Sequence, residues 1–96
     1  MEADVILMTE LREVGYCETQ QYCDIIKWFV NEHHINIYAD CGAIDEWIWT
    51  INFIDKRDYV QSDDLEFEKL GLEPYYKTID EALTEGIVKA LSYIKK

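Results

Sequence analysis

Ninety-six residues, 49% of them apolar, suffice for one domain with a single modest core and are too few for two. Twenty acidic residues against nine basic ones leave a net charge of −11, beyond the roughly 2 to 8 in magnitude typical of small soluble domains. That excess excludes ordinary binding to DNA, RNA or an anionic membrane, because phosphate contacts require Lys and Arg. It suits a basic partner, including a protein surface that itself holds nucleic acid; solubility of an aromatic-rich chain is the competing explanation.

In chain order, residues 1 to 14 predict a short helix. Asp4 is its cap, Leu7, Leu11 and Val14 share one face, and Gly15 is the stop. Val5 to Met8 is too short and too acid-flanked for a secretory segment, and no run approaches the ~20 apolar residues of a membrane span. A cytoplasmic setting is expected, and three cysteines, an odd number, fit reduced thiols there. Tyr16 to Glu18 reads as a connector. A second helix is expected from about Thr19 to His33 or His34, with Tyr22, Ile25, Ile26, Phe29 and Val30 as its stripe and Trp28 at the margin.

Ile35 and Ile37 alternate with Asn36 and Tyr38, which predicts a short strand. Asp40, Cys41 and Gly42 then supply turn chemistry, with Gly42 suited to a positive φ. The strand from about Glu46 to Ile54 is the clearest in the chain. Trp47, Trp49, Ile51 and Phe53 form a wholly apolar face that should meet the helices, and Ile48, Thr50, Asn52 and Ile54 a mixed one. Asp55 to Asp58 reads as a turn and Tyr59 to Gln61 as a third strand. Asp58, Asp63, Asp64, Glu66 and Glu68 follow one another without an intervening Lys or Arg. This run is either a solvated loop or an acidic arm that substitutes for a phosphate backbone, and Leu65 with Phe67 would make part of it an edge strand.

The last stretch, Thr78 to Lys96, organises the rest. Ile79, Ala82, Leu83, Gly86, Ile87, Ala90, Leu91 and Ile94 recur at steps of three and four, a single helical stripe. Thr78 and Glu81 form a capping box; Asp80 and Glu81 at one end and Lys95 and Lys96 at the other suit the helix dipole. Gly86 weakens this helix by roughly 1 kcal/mol relative to Ala, which points to close approach to something flat, such as a sheet. The expected fold is α+β: a small antiparallel sheet of two to three strands packed against two main helices, with a short N-terminal helix, in a single domain.

Motifs for catalysis are weak. Cys17, Cys23, Cys41, His33 and His34 are zinc-type residues without knuckle spacing, and the two histidines equally suit a helix C-terminus. Cys41 beside Gly42 is the lone nucleophile candidate, with no local base. No Gly-rich phosphate loop, GK[ST] or HExxH occurs. Trp28, Trp47, Trp49 and the tyrosines could stack nucleobases, but a strand of nucleic acid would need a basic groove as well. A small nucleotide would need Lys56, Arg57, Lys69 and Lys77 to converge.

The run QQYCDIIKWFVNEHHINIYAD, then EWIWTINFID, then YYKTIDEALTEGIVKALSYI resembles a family of small phage and prophage proteins of gut bacteria. Its members read like QQAIDWLREKHNI, an aromatic strand, then YEEALEAGI and KAL. The likeness covers about residues 19 to 95; residues 1 to 18 are shorter than the leader of many members, and Tyr59 to Leu72 does not match clearly. It implies a phage accessory protein in a bacterial cytosol and transfers no catalytic residue. Thr78, Glu81, Ala82 and Leu83 are also similar to the last helix of HicB-like antitoxins, which speaks to fold.

These readings combine into an expectation. The chain is a non-enzymatic phage accessory protein that binds and inhibits a host defence protein, as an acidic nucleic-acid mimic. Asp58, Asp63, Asp64, Glu66 and Glu68 would meet a basic cleft; Tyr38, Ile48, Ile54, Tyr75 and Tyr76 form a candidate contact surface. No cofactor, metal, membrane or direct nucleic-acid partner is expected. The alternatives are a sponge for a nucleotide signal and an antitoxin-like homodimer.

Overall fold

The first helix starts where its cap predicts. In the computed structural model, which describes residues 2–95, Asp4 accepts the Leu7 N–H at 2.8 Å and opens α1 (Val5–Glu13). Leu7, Met8 and Leu11 are buried, and Gly15 stops the chain with φ +101°, a conformation costly for any residue with a Cβ. Tyr16 lies in the connector between the first two helices, and yet it is fully buried: its hydroxyl donates to the Thr19 carbonyl, and Trp28 meets its ring edge-on at 5.4 Å. The turn after α1 is tight, and Ala3 N–H closes it on Gln20 C=O at 2.7 Å, so the first large side chain beyond the helix falls inside.

The second helix, α2 (Tyr22–His33), begins three residues after Thr19. Thr19 instead bonds Asp24 from outside the helix, at 2.5 Å. Tyr22, Ile25 and Phe29 are buried, with Ile26 and Trp28 partly so. His34 ends the helix in the left-handed region, φ 54°, with its N–H on the Phe29 and Val30 carbonyls.

Three antiparallel strands follow, side by side in chain order. β1 (Ile35–Ala43) is nine residues long and runs past the expected turn. Asp40, Cys41 and Gly42 belong to the strand, with a bulge between Cys41 and Ala43, and Gly42 stays out of the left-handed region. The turn falls on Ile44 and Asp45, and Asp45 takes the positive φ of 61°. Asp tolerates that region through its short polar side chain; a β-forming Ile at the turn hid it. β2 (Glu46–Phe53) pairs with β1 from Ile35↔Phe53 to Ala43↔Glu46 and with β3 (Asp58–Gln61) from Thr50↔Gln61 to Phe53↔Asp58. Trp49 and Ile51 are buried and Trp47 and Phe53 half-buried, as their alternation requires. On the opposite face Thr50 is fully buried between its neighbours and accepts from Gln61 Nε2 at 3.2 Å.

The Leu65 and Phe67 stretch is a helix, not an edge strand: α3 (Leu65–Lys69) starts from Asp64. Its Phe67 is buried, 5.7 Å from the Trp49 ring. One anchored aromatic in a five-residue helix gives too little periodicity to separate the two readings. The last helix, α4 (Ile79–Ile94), is capped by Thr78, whose hydroxyl accepts the Glu81 N–H at 3.2 Å. Lys96 lies outside the described residues. Ala82, Leu83, Gly86, Ile87, Ala90 and Leu91 are buried, and each large one gains roughly 1.5–3 kcal/mol over exposure. α4 crosses β1 and β2 while α2 packs on β1, so the architecture is α+β with one face of the sheet covered. Among the described residues no helix is long and apolar enough to cross a membrane.

Candidate functional site

The acidic arm sits on β3, the following turn and α3. Asp58, Asp63, Glu66 and Glu68 are exposed and Asp64 is half-buried. Asp64 is partly structural: its carboxylate accepts the Gln61 N–H at 2.9 Å and its carbonyl accepts from Phe67 and Glu68. Asp58 accepts its neighbour Tyr59's N–H at 2.8 Å. None of the five makes an ion pair among the described residues. There, the pairs are Asp55 with His34 at 2.6 Å and Glu13 with Lys95 at 4.0 Å. Among the described residues, eighteen of the twenty acids have no ion-pair partner.

Two open-sided cavities flank α3. One, of about 480 Å³, lies between α4 and the extended Glu73–Tyr76 segment, with Trp49 and Phe67 among its lining and Glu73 and Glu85 on it. Its walls are fixed from several sides. Trp47 and Tyr76 exchange backbone hydrogen bonds of 2.8 Å each way. Ser62, buried, accepts the Trp49 N–H at 3.2 Å and donates to the Pro74 carbonyl at 2.8 Å. Burial raises the Tyr76 phenol above its ordinary value, a hydrogen bond with the Trp49 side chain opposes this, and Glu85 and Glu73 add to the rise. Both carboxylates are thus close enough to be felt at Tyr76. Lys89 also lines this cavity but sits 4.6 Å over the Phe67 ring and 5.6 Å from that of Tyr93. It forms no ion pair with either glutamate among the described residues.

The other cavity, of about 530 Å³, is lined by His33, His34, Asp55, Lys56, Asp58 and Glu66 with Phe53 and Tyr93. Burial raises the Tyr93 phenol, and Glu66 and Asp64 reinforce it. Of the four bases that a bound nucleotide would need, Lys56 lines this cavity, and Arg57, Lys69 and Lys77 line neither of the two.

The aromatic contact surface divides. Tyr38, Ile48 and Ile54 lie on the uncovered side of the sheet, Tyr38 and Ile54 about two-fifths exposed. Tyr76 does not join them: it pairs with Trp47, and directly opposed residues share a face, so it belongs to the helix side and the cavity. Tyr75 is exposed. Cys17, Cys23 and Cys41 are exposed thiols. Cys41 bonds the Ala43 carbonyl at 2.9 Å and stands seven residues, on the order of 20 Å of strand, from His34. Among the described residues no three His, Cys, Asp or Glu side chains cluster as metal ligands. The sequence reading missed Glu73 and Glu85, which are distant in the chain and meet on one cavity through the Trp47–Tyr76 bridge and the Ser62–Pro74 hydrogen bond. Comparison with protein-family models, curated proteins and solved structures finds no match.

Proposed function

We propose that this chain is a non-enzymatic binding protein of phage or prophage origin that works in a bacterial cytoplasm. It docks its β3–α3 side onto a basic cleft of a host defence protein and inhibits it by occupying the place of nucleic acid. The observation that carries this reading is the uncompensated surface charge: net −11, with two acids in ion pairs among the described residues. Such a surface steers a basic partner and adds to complementarity once docked. The experiment is affinity capture from bacterial lysate with stepwise salt elution. A single basic protein, recovered stoichiometrically and released by salt, is the expected result; recovery of nothing beyond background sinks the proposal.

A nucleotide sponge is the weaker reading, because carboxylates on both larger cavities repel phosphate at close range. The homodimer has one observation in its favour. The uncovered sheet face is mostly neutral, from Asn36, Tyr38, Ile48, Thr50, Asn52, Tyr59 and Gln61, with Asp40 opposite Ile48 as a charge on it, in a chain that is otherwise strongly acidic. A second copy could meet it there with less like-charge repulsion than elsewhere on the surface. Sedimentation should then give a dimer mass that Ile48→Arg reduces to a monomer, whereas a monomer at every concentration removes the idea.

A further inference from the structure

We propose that the cavity between α4 and the Glu73–Tyr76 segment receives an arginine side chain of the basic partner, its stem on the apolar floor and its guanidinium between Glu73 and Glu85. This rests on the docking reading above and names where the partner is anchored. The floor is aromatic and aliphatic, from Trp49, Phe67, Leu72 and Val88, while the carboxylates of Glu73 and Glu85 stand on the lining with no ion-pair partner among the described residues. An apolar floor bordered by two carboxylates suits a side chain with an apolar stem and a cationic head. Arg fits better than Lys, since its flat fork bonds carboxylates in pairs and stacks on rings.

The chain's own Lys89 shows that a cation is accepted here: its ammonium lies over the Phe67 ring at 4.6 Å. Because it is held on that side, it leaves the two glutamates to another cation. The walls need no reordering to receive one, given the Trp47–Tyr76 and Ser62–Pro74 hydrogen bonds, and a preformed site loses less entropy on binding. At about 480 Å³ the space falls within the range of specific small sites. Phosphate-bearing ligands are disfavoured by the same carboxylates.

The test uses the full chain, labelled for NMR, and an octa-arginine peptide at physiological salt. Saturable shifts of the Trp49 indole N–H and the Tyr76 and Val88 amides are expected. Val88→Trp fills the cavity and keeps every charge, and it should abolish those shifts. Glu73→Gln with Glu85→Gln preserves the shape and should weaken binding at least about tenfold, as for lost hydrogen bonds to a charged group. Binding by Val88→Trp as tight as that of the parent, or shifts confined to Asp58, Asp63 and α3, would overturn the cavity proposal and leave the docking reading standing. Equal shifts with an octa-glutamine peptide would overturn it as well, marking an apolar site indifferent to charge. Absence of any saturable shift would remove both.

Discussion

Gly86→Val is expected to destabilise the chain by about 3 kcal/mol, at the upper end of what overpacking a close-fitting contact costs. A small domain has roughly 5–15 kcal/mol in all, so the urea midpoint should fall far enough to read without extrapolation. The reason is where α4 meets the sheet. A Cβ built at Gly86 would lie 3.0 Å from Trp49 Cβ and 3.1 Å from Ile37 Cγ2, on two adjacent strands. Trp49 Cβ is tied to the backbone of the central strand and yields little. Alanine is the finer test, because a gain of about 1 kcal/mol in helix propensity opposes a packing strain of about 2 kcal/mol. A net loss of about 1 kcal/mol is therefore expected. An alanine variant more stable than the parent would mean that helix and sheet do not touch at this point.

The same glycine shows what the sequence could disclose. A helix-weakening residue inside a perfect apolar stripe has few explanations, and contact with a flat sheet is among them. The alternation in β2 was equally legible, since period two over eight residues sends Trp49 and Ile51 inward whatever else the chain does. What escaped were features with no local period. The hairpin turn carries Ile44, an apolar β-former, and hides behind the stronger turn signal of Asp40–Gly42. Tyr16 is buried by the way α1 folds back on the connector, which no run of three residues records. The cavity joins positions 49, 67, 73 and 85 through a long-range bridge between Trp47 and Tyr76, and only tertiary structure makes those residues neighbours. The arm was legible as charge but not as geometry. Nothing in its spacing separated Asp64, which holds the start of α3, from the residues that stand clear of the fold.

That distinction fixes the design of the second large effect. Reversing Asp58, Asp63, Glu66 and Glu68 to Lys, with Asp64 kept for its bond to Gln61, changes the charge by two at each position and takes −11 to −3. Association with the captured partner should slow by about 10- to 100-fold at low salt, the range of electrostatic steering, with a smaller change in dissociation. At 1 M salt the Debye length shrinks to about 3 Å, so parent and variant should converge. All four side chains are exposed, and relief of self-repulsion offsets any local loss, so thermal stability should hold. The control reverses Glu10, Glu13, Glu18 and Glu32 around α1 and α2, which makes the same change in net charge on another part of the surface. Stopped-flow rates that fall equally for both sets would show that total charge matters and the arm does not. Rates that fall only for the β3–α3 set locate the contact, because steering depends on where the charge lies as the two surfaces approach.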